Sequence, residues 1–148
     1  MPLSVDLEAF RKHSKLFALL DEAGQQRLLD ISHEEAFEDG AVLMREGEGG
    51  ESFYVLLKGG VRVLIDDGAG QQKEVAKLGA GAFVGEIAAL MGEPRSATVI
   101  AEGAIGVLQF DAPPVQEILN DYPRVREALV KLALKRSEQN LQELLGSD

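Results

Sequence analysis

The chemistry in this chain is concentrated in one stretch, Gly79 to Val99, GAGAFVGEIAALMGEPRSATV. Arg95 offers a planar fork of N–H donors that matches a pair of phosphate oxygens. Ser96 sets a hydroxyl beside it. The run from Glu86 to Leu90 is long enough for about one and a half helical turns. The first N–H groups of such a helix have no intrahelical partner, and they attract an anion, most often a phosphate. Gly85, just ahead of it, lets the backbone come close to whatever is bound. Glu86 can only accept hydrogen bonds, so it suits a sugar hydroxyl and not a phosphate. Phosphate on a helix tip and Arg95, with ribose on Glu86, describes a nucleotide. The plainer alternative is a structural ion pair between Glu86 and Arg95 in a hairpin.

Composition narrows the partners. The 148 residues carry a net charge of −10, and neither end has a basic run. Nucleic-acid binding needs a basic face to displace counterions, so no nucleic acid is expected as a partner, and no acidic membrane surface either. An anionic ligand must be held by a local arrangement, against the field of the whole molecule. There is no cysteine, hence no disulfide framework and no thiolate metal site. His13 and His33 stand alone, each read as a surface or boundary residue. The start MPLSVDLEAF lacks the basic-then-apolar order of a secretory signal, and no apolar run approaches a membrane span. A cytoplasmic protein is expected, as a stand-alone domain or as a piece of a larger parent.

The elements that must position these groups follow in chain order. SVDLEAFRKHS, residues 4–14, reads as a short helix capped by Ser4, and Leu16, Phe17, Leu19 and Leu20 as an apolar knot docked on a core. Asp21 caps a second helix over Glu22 to Ile31, with Leu28 and Leu29 inward. From Ser32 the rhythm changes to short strands broken by turn residues. The expected strands are 34–37, 42–45, 52–58, 61–65, 72–78, 96–101 and 105–110. Gly59-Gly60 reads as a turn, and Glu102-Gly103 as the tip of a hairpin. The strand 52–58, SFYVLLK, is apolar on both faces and therefore central. Many short strands with glycine turns argue for an antiparallel sandwich or barrel. Asp111 to Asn120 reads as a helix with Pro113 and Pro114 in its first turn. A final helix begins with Asp121 as its cap and runs to about Leu145. Its stripe Val125, Leu129, Leu132 should face the strands. A second stripe, Leu134, Leu141, Leu145, is either a loosely packed tail or a seam for a homodimer or partner.

GEIAAL followed by PRSATV resembles the phosphate-binding cassette of cyclic-nucleotide-binding domains, the family shared by bacterial cyclic-AMP receptors, protein kinase regulatory subunits and cyclic-nucleotide-gated channels. DGAVLMREGEGGESFYVLLKGGVRV is similar to the first half of that family's β-roll, and Gly40, Gly47, Gly59 and Gly79 fall where the family places turn glycines. The resemblance implies a mainly β fold: an antiparallel, jelly-roll-like β-roll over residues 32–110 with its cassette at 85–99. Helical segments would flank it, 1–31 ahead and a hinge and lid over 111–148.

The implied ligand is a 3′,5′-cyclic nucleotide, cyclic AMP ahead of cyclic GMP. By the resemblance, Gly85, Ile87 and Ala88 offer backbone contacts, and Arg95, Ser96 and the Ala97 N–H hold the phosphate. Glu86 takes the ribose 2′-hydroxyl, while Val63 and Ala76 line the base pocket. In the bacterial channel domains that the chain most resembles, an arginine of the last helix lies over the purine, and an ungapped alignment puts Arg136 there. The function implied is a regulatory sensor in which ligand closes the last helix and signals to an effector protein or fused domain. No catalytic residue and no cofactor are implied. A β-roll scaffold that binds protein and no nucleotide, a cyclic-GMP-preferring sensor, and an enzyme such as a phosphodiesterase or cupin-like oxygenase are the alternatives. Two isolated histidines leave the last without a metal site.

Overall fold

The computed structural model describes residues 15–145. In order these form α1 (Lys15–Ala18), α2 (Glu22–Ile31), β1 (His33–Phe37), β2 (Val42–Met44), β3 (Ser52–Asp66), β4 (Gln72–Leu78) and β5 (Phe83–Val84). After these come α3 (Glu86–Met91), β6 (Thr98–Asp111), α4 (Ala112–Asn120) and α5 (Pro123–Leu145). The helix expected over 4–14, with His13, lies outside the described residues.

All strand pairs are antiparallel. The sheet runs β1-β6-β3-β4, with β2 also on β6 and β5 also on β3. Its spine is a long ribbon in which β3 and β6 pair from Ser52 opposite Asp111 to Leu64 opposite Thr98. This corrects two expectations. Gly59-Gly60 is not a turn between two strands, and Glu102-Gly103 is not a hairpin tip, because β3 and β6 each run straight through. Gly59 and Gly103 do have positive φ, 81° and 76°. They bend the ribbon without ending it, and the β3–β6 register slips near Lys58 and Gly60. On either side of the bend β3 exchanges β5 for β4 as its second partner. The bend therefore curls one ribbon into a roll, and the fold is the antiparallel β-roll expected.

The two faces of β3 serve two cores. Tyr54 and Leu56 point into the roll with Leu43, Met44, Val61, Val63, Val99 and Val107. Phe53, Val55 and Leu57 point the other way, where Phe17, Leu28, Phe110, Val115 and Leu129 close the helices over the sheet. Phe53 stacks on Phe110 with ring centroids 5.4 Å apart. Within the expected apolar knot Phe17 and Leu20 are buried but Leu19 is exposed, so the knot is one-sided.

Asp21 caps α2 as read, accepting from the Gly24 N–H at 2.7 Å. Asp121 does not cap α5. It closes α4, and its carboxylate takes a 2.9 Å ion pair from Arg27, while the Tyr122 carbonyl receives the first turn of α5 through the Arg126 N–H. Val125 and Leu129 are buried in the helix-side core, with Leu132 packed against it, and α5 lies against β4 and α3. Leu134 is exposed; the side chains of Leu141 and Leu145 are outside the described residues.

Candidate functional site

The chain leaves β5 at Gly85, whose φ of 84° and ψ of 5° turn it directly into α3. That left-handed conformation favours glycine. Gly92 ends α3 the same way with φ 70°, its N–H donating to Ala88 O at 3.0 Å. The short helix is thus fixed at both ends by backbone geometry, with its first turn, Glu86, Ile87 and Ala88, at a defined place beside the roll.

Arg95 returns to that first turn. Its main chain is zipped to the loop ahead of β3: the Arg95 N–H donates to Glu48 O and the Gly47 N–H donates to Arg95 O, both at 2.8 Å. Its guanidinium Nη1 donates to Gly85 O at 3.0 Å, the carbonyl that also accepts the Ala89 N–H. The residue is only 7% exposed, and none of the ion pairs among the described residues involves it. Burial pulls its pKa below the usual arginine value, opposed by Tyr54 and by the carboxylates of Glu48 and Glu86. An arginine keeps its charge under such a shift. The result is a buried cation whose side-chain hydrogen bond among the described residues goes to a neutral carbonyl at a helix tip.

The structure places the other predicted residues as follows. Glu86 is 3% exposed at the start of α3. Ala88 and Ala97 are buried, and Ser96 is exposed next to Arg95. Val63 sits directly opposite Ala76 in the β3–β4 register, with Val63 buried inside the roll. Arg136 lies on α5 and Ile87 on α3, but their side chains are outside the described residues.

Reading the sequence missed three contributors. The register slips between Val63–Ala76 and Leu64–Glu74, leaving Val75 as an extra residue. A bulge re-aims side chains, so the consecutive residues Val75 and Ala76 both pack against the roll interior. Met44 and Gly50 were also missed. A Cβ at Gly85 would lie 2.6 Å from Arg95 Nη1 and 2.8 Å from Met44 Cε, so Met44 and Arg95 both crowd the space over Gly85. No local pattern marks Met44, whereas the glycine run GEGG was a visible signal for Gly50.

A cleft of about 480 Å³ opens alongside, lined by residues including Gly47, Gly50, Ala88, Pro94 and Gln116, but not by Glu86, Arg95 or Ser96. Among the described residues no group of three or more His, Cys, Asp or Glu side chains could hold a metal ion, and no helix is long and apolar enough to cross a membrane.

Comparison with known proteins bears on the fold and the family. The model of the cyclic nucleotide-binding domain matches residues 34–122. Over 97 residues the chain is 37% identical to a cyclic nucleotide-gated potassium channel of Rhizobium etli, covering 66% of this chain and 26% of the channel. The regulatory domain of Toxoplasma gondii PKA, co-crystallised with cAMP, superposes with a TM-score of 0.77 at 29% identity, covering 86% of this chain and 48% of that one. The regulatory subunit of a cAMP-independent protein kinase A from Trypanosoma brucei gives a TM-score of 0.81 at 26% identity, covering 93% and 50%. The chain therefore spans about a quarter of the channel and about half of each kinase subunit structure. With the family match running from the first strand to the turn ahead of α5, over a roll that holds a buried arginine on a glycine-capped helix tip, this chain belongs to the cyclic nucleotide-binding domain family of regulatory sensors.

Proposed function

We propose that the chain binds 3′,5′-cyclic AMP between α3 and the roll and reports its presence by holding α5 closed. The observation that carries this reading is Arg95, 7% exposed and in no ion pair among the described residues. Burying a charge is costly unless it is closely partnered; the carboxylates of Glu48 and Glu86 act on Arg95 through space, and a singly charged cyclic phosphate is a close partner of the right size and sign. Arg95, Ser96 and the Ala97 N–H would hold it together with backbone groups of Gly85, Ile87 and Ala88. Glu86 would accept from the ribose 2′-hydroxyl. Val63, Val75 and Ala76 would meet the base from the roll, and Arg136 would cover it from α5.

The contacts of α5 with both β4 and α3 support the switching role. A ligand touching cassette and last helix together favours the arrangement in which they are close, by no more than its difference in affinity for the two states. In this reading 1–31, 32–110 and 111–148 are the helical lead, the binding roll and the hinge with its lid. The signal passes to an effector protein or a fused domain in the cytoplasm. A homodimer seam through the exposed Leu134 side of α5 is the alternative contact.

Cyclic GMP is the second reading. Ser96 is exposed beside Arg95 and can offer its hydroxyl to a guanine, and one kinase relative of the same fold is described as cAMP-independent. Calorimetric titration with both cyclic nucleotides is the test. One-to-one binding of cyclic AMP, tighter than cyclic GMP, is expected. The reverse order would move the assignment to cyclic GMP, and no heat with either would leave a protein-binding scaffold.

A further inference from the structure

We propose that Gly50 is a positioning residue for phosphate capture: its missing side chain is the space in which the Arg95 guanidinium is aimed. This rests on reading Arg95 as the phosphate ligand. A Cβ built on Gly50 would fall 2.6 Å from Arg95 Cζ and 2.7 Å from Nε, and would collide with Nη2 as well. All three are guanidinium atoms. A Cβ on Gly85 would fall 2.6 Å from Nη1. The guanidinium therefore packs closely against two glycines, one from the loop ahead of β3 and one from the tip of α3.

Conformation does not explain Gly50. Its φ is outside the left-handed range, unlike Gly47 at 87°. The neighbouring Gly49 has neither a positive φ nor any atom within 4 Å of a built Cβ. Alanine at Gly50 needs no left-handed φ, and the three atoms nearest its Cβ all belong to the guanidinium. The loop cannot simply retreat, because Gly47 and Glu48 are hydrogen-bonded to the Arg95 main chain at 2.8 Å. The yielding part is the end of a flexible side chain. An added methyl group would swing the guanidinium off Gly85 O and away from the helix tip, while the roll stays folded.

The test is calorimetry of wild type, G50A, G49A, R95A and the G50A/R95A double variant, each with cyclic AMP, cyclic GMP and the matching nucleosides, alongside a thermal melt. G50A should lose at least tenfold in cyclic-nucleotide affinity and little for the nucleoside, and G49A should match wild type. In the R95A background G50A should cost nothing further, because the two act as one unit. Wild-type binding by G50A, or an added loss in the double variant, overturns the role of Gly50 and leaves that of Arg95 standing. No binding by wild type, or unchanged binding by R95A, brings down the phosphate reading and this one with it. If G50A fails to fold, G50A/R95A should fold, since the colliding group is gone; a double variant that stays unfolded overturns the proposal.

Discussion

The guanidinium of Arg95 donates to the carbonyl oxygen of Gly85 at 3.0 Å, joining the cation and the N-terminus of α3 into one unit. Gly85 can serve because its φ of 84° turns that carbonyl into the helix start. The acceptor is neutral, while the carboxylates of Glu48 and Glu86 act on the charge of Arg95 through space; in the proposed reading the phosphate is its close partner. Removing the guanidinium should then remove ligand more than fold. Hydrogen bonds to a charged group contribute roughly 1.5–3 kcal/mol each, and a bidentate phosphate contact makes two. Arg95→Ala should weaken cyclic-nucleotide binding by about 100-fold or more while the unliganded protein still melts cooperatively. Calorimetry beside a thermal melt checks both, and unchanged affinity would remove the phosphate role.

Glu86 is 3% exposed at the head of α3, and in the proposed reading it accepts from the ribose 2′-hydroxyl. Glu86→Gln keeps the shape and weakens the acceptor. Affinity for cyclic AMP should fall by about tenfold, the scale of one hydrogen bond to a charged group, while affinity for its 2′-deoxy analogue should hardly change. Equal losses for the two ligands would mean that Glu86 acts on the fold of the cassette and not on the sugar.

What was legible in the sequence was decided locally, and what was not was decided at a distance. Arg95, Glu86 and the glycines around α3 announce themselves by residue type and spacing. The two faces of β3 show in SFYVLLK. Gly59-Gly60 misled, because a glycine pair reads as a turn when the partner strand carries the chain straight on. The Cβ clash of Gly59 with the Ala104 carbonyl, 2.8 Å away, gives the real constraint, close approach of β3 to β6. Gly50 is a related case: the run GEGG marks a glycine cluster, but what sets Gly50 apart from Gly49 is a guanidinium far along the chain, which no window of sequence contains. Asp121 looked like a helix cap, but Arg27, brought over on α2, claims it.

Helix α2 and the α4–α5 junction are tied by Asp21, which accepts from both the Gly24 N–H and, at 2.9 Å, the Tyr122 hydroxyl. The Gly24 bond first, then that of Tyr122, holds the Asp21 pKa below its ordinary 3.8. A carboxylate with a depressed folded pKa adds stability at pH above its unfolded value and loses it as pH falls through the folded one. Asp21→Asn should therefore melt below wild type near neutral pH, and the gap should shrink as pH is lowered past the ordinary carboxylate range. Melting curves of both proteins across that range decide it; a gap that stays constant means the ionised form is not what the cap and junction recognise.

Docking of α5 depends on Leu129, 1% exposed among the helix-side core residues. Leu129→Ala should destabilise the protein by about 2–5 kcal/mol, as buried leucine truncations do. If that helix is the lid, nucleotide affinity should drop as well, because a smaller fraction of molecules holds the closed state. Denaturant unfolding and calorimetry on the same variant separate the two effects. A large stability loss with wild-type affinity would show that α5 supports the fold without covering the ligand.

Arg136 lies further along the same helix, beyond the buried Val125–Leu129 stretch that anchors it. A guanidinium over a purine face is favourable by about 0.5–2 kcal/mol, so Arg136→Ala should weaken cyclic AMP by roughly 2- to 30-fold and leave the melt unchanged. Ribose 3′,5′-cyclic phosphate, which keeps the phosphate and sugar but has no base, supplies the control. Its affinity should be the same for wild type and variant, since nothing remains for the guanidinium to cover. If both ligands weaken alike, Arg136 acts through the charge on the phosphate and not through the base. If neither does, the base is covered by another part of α5.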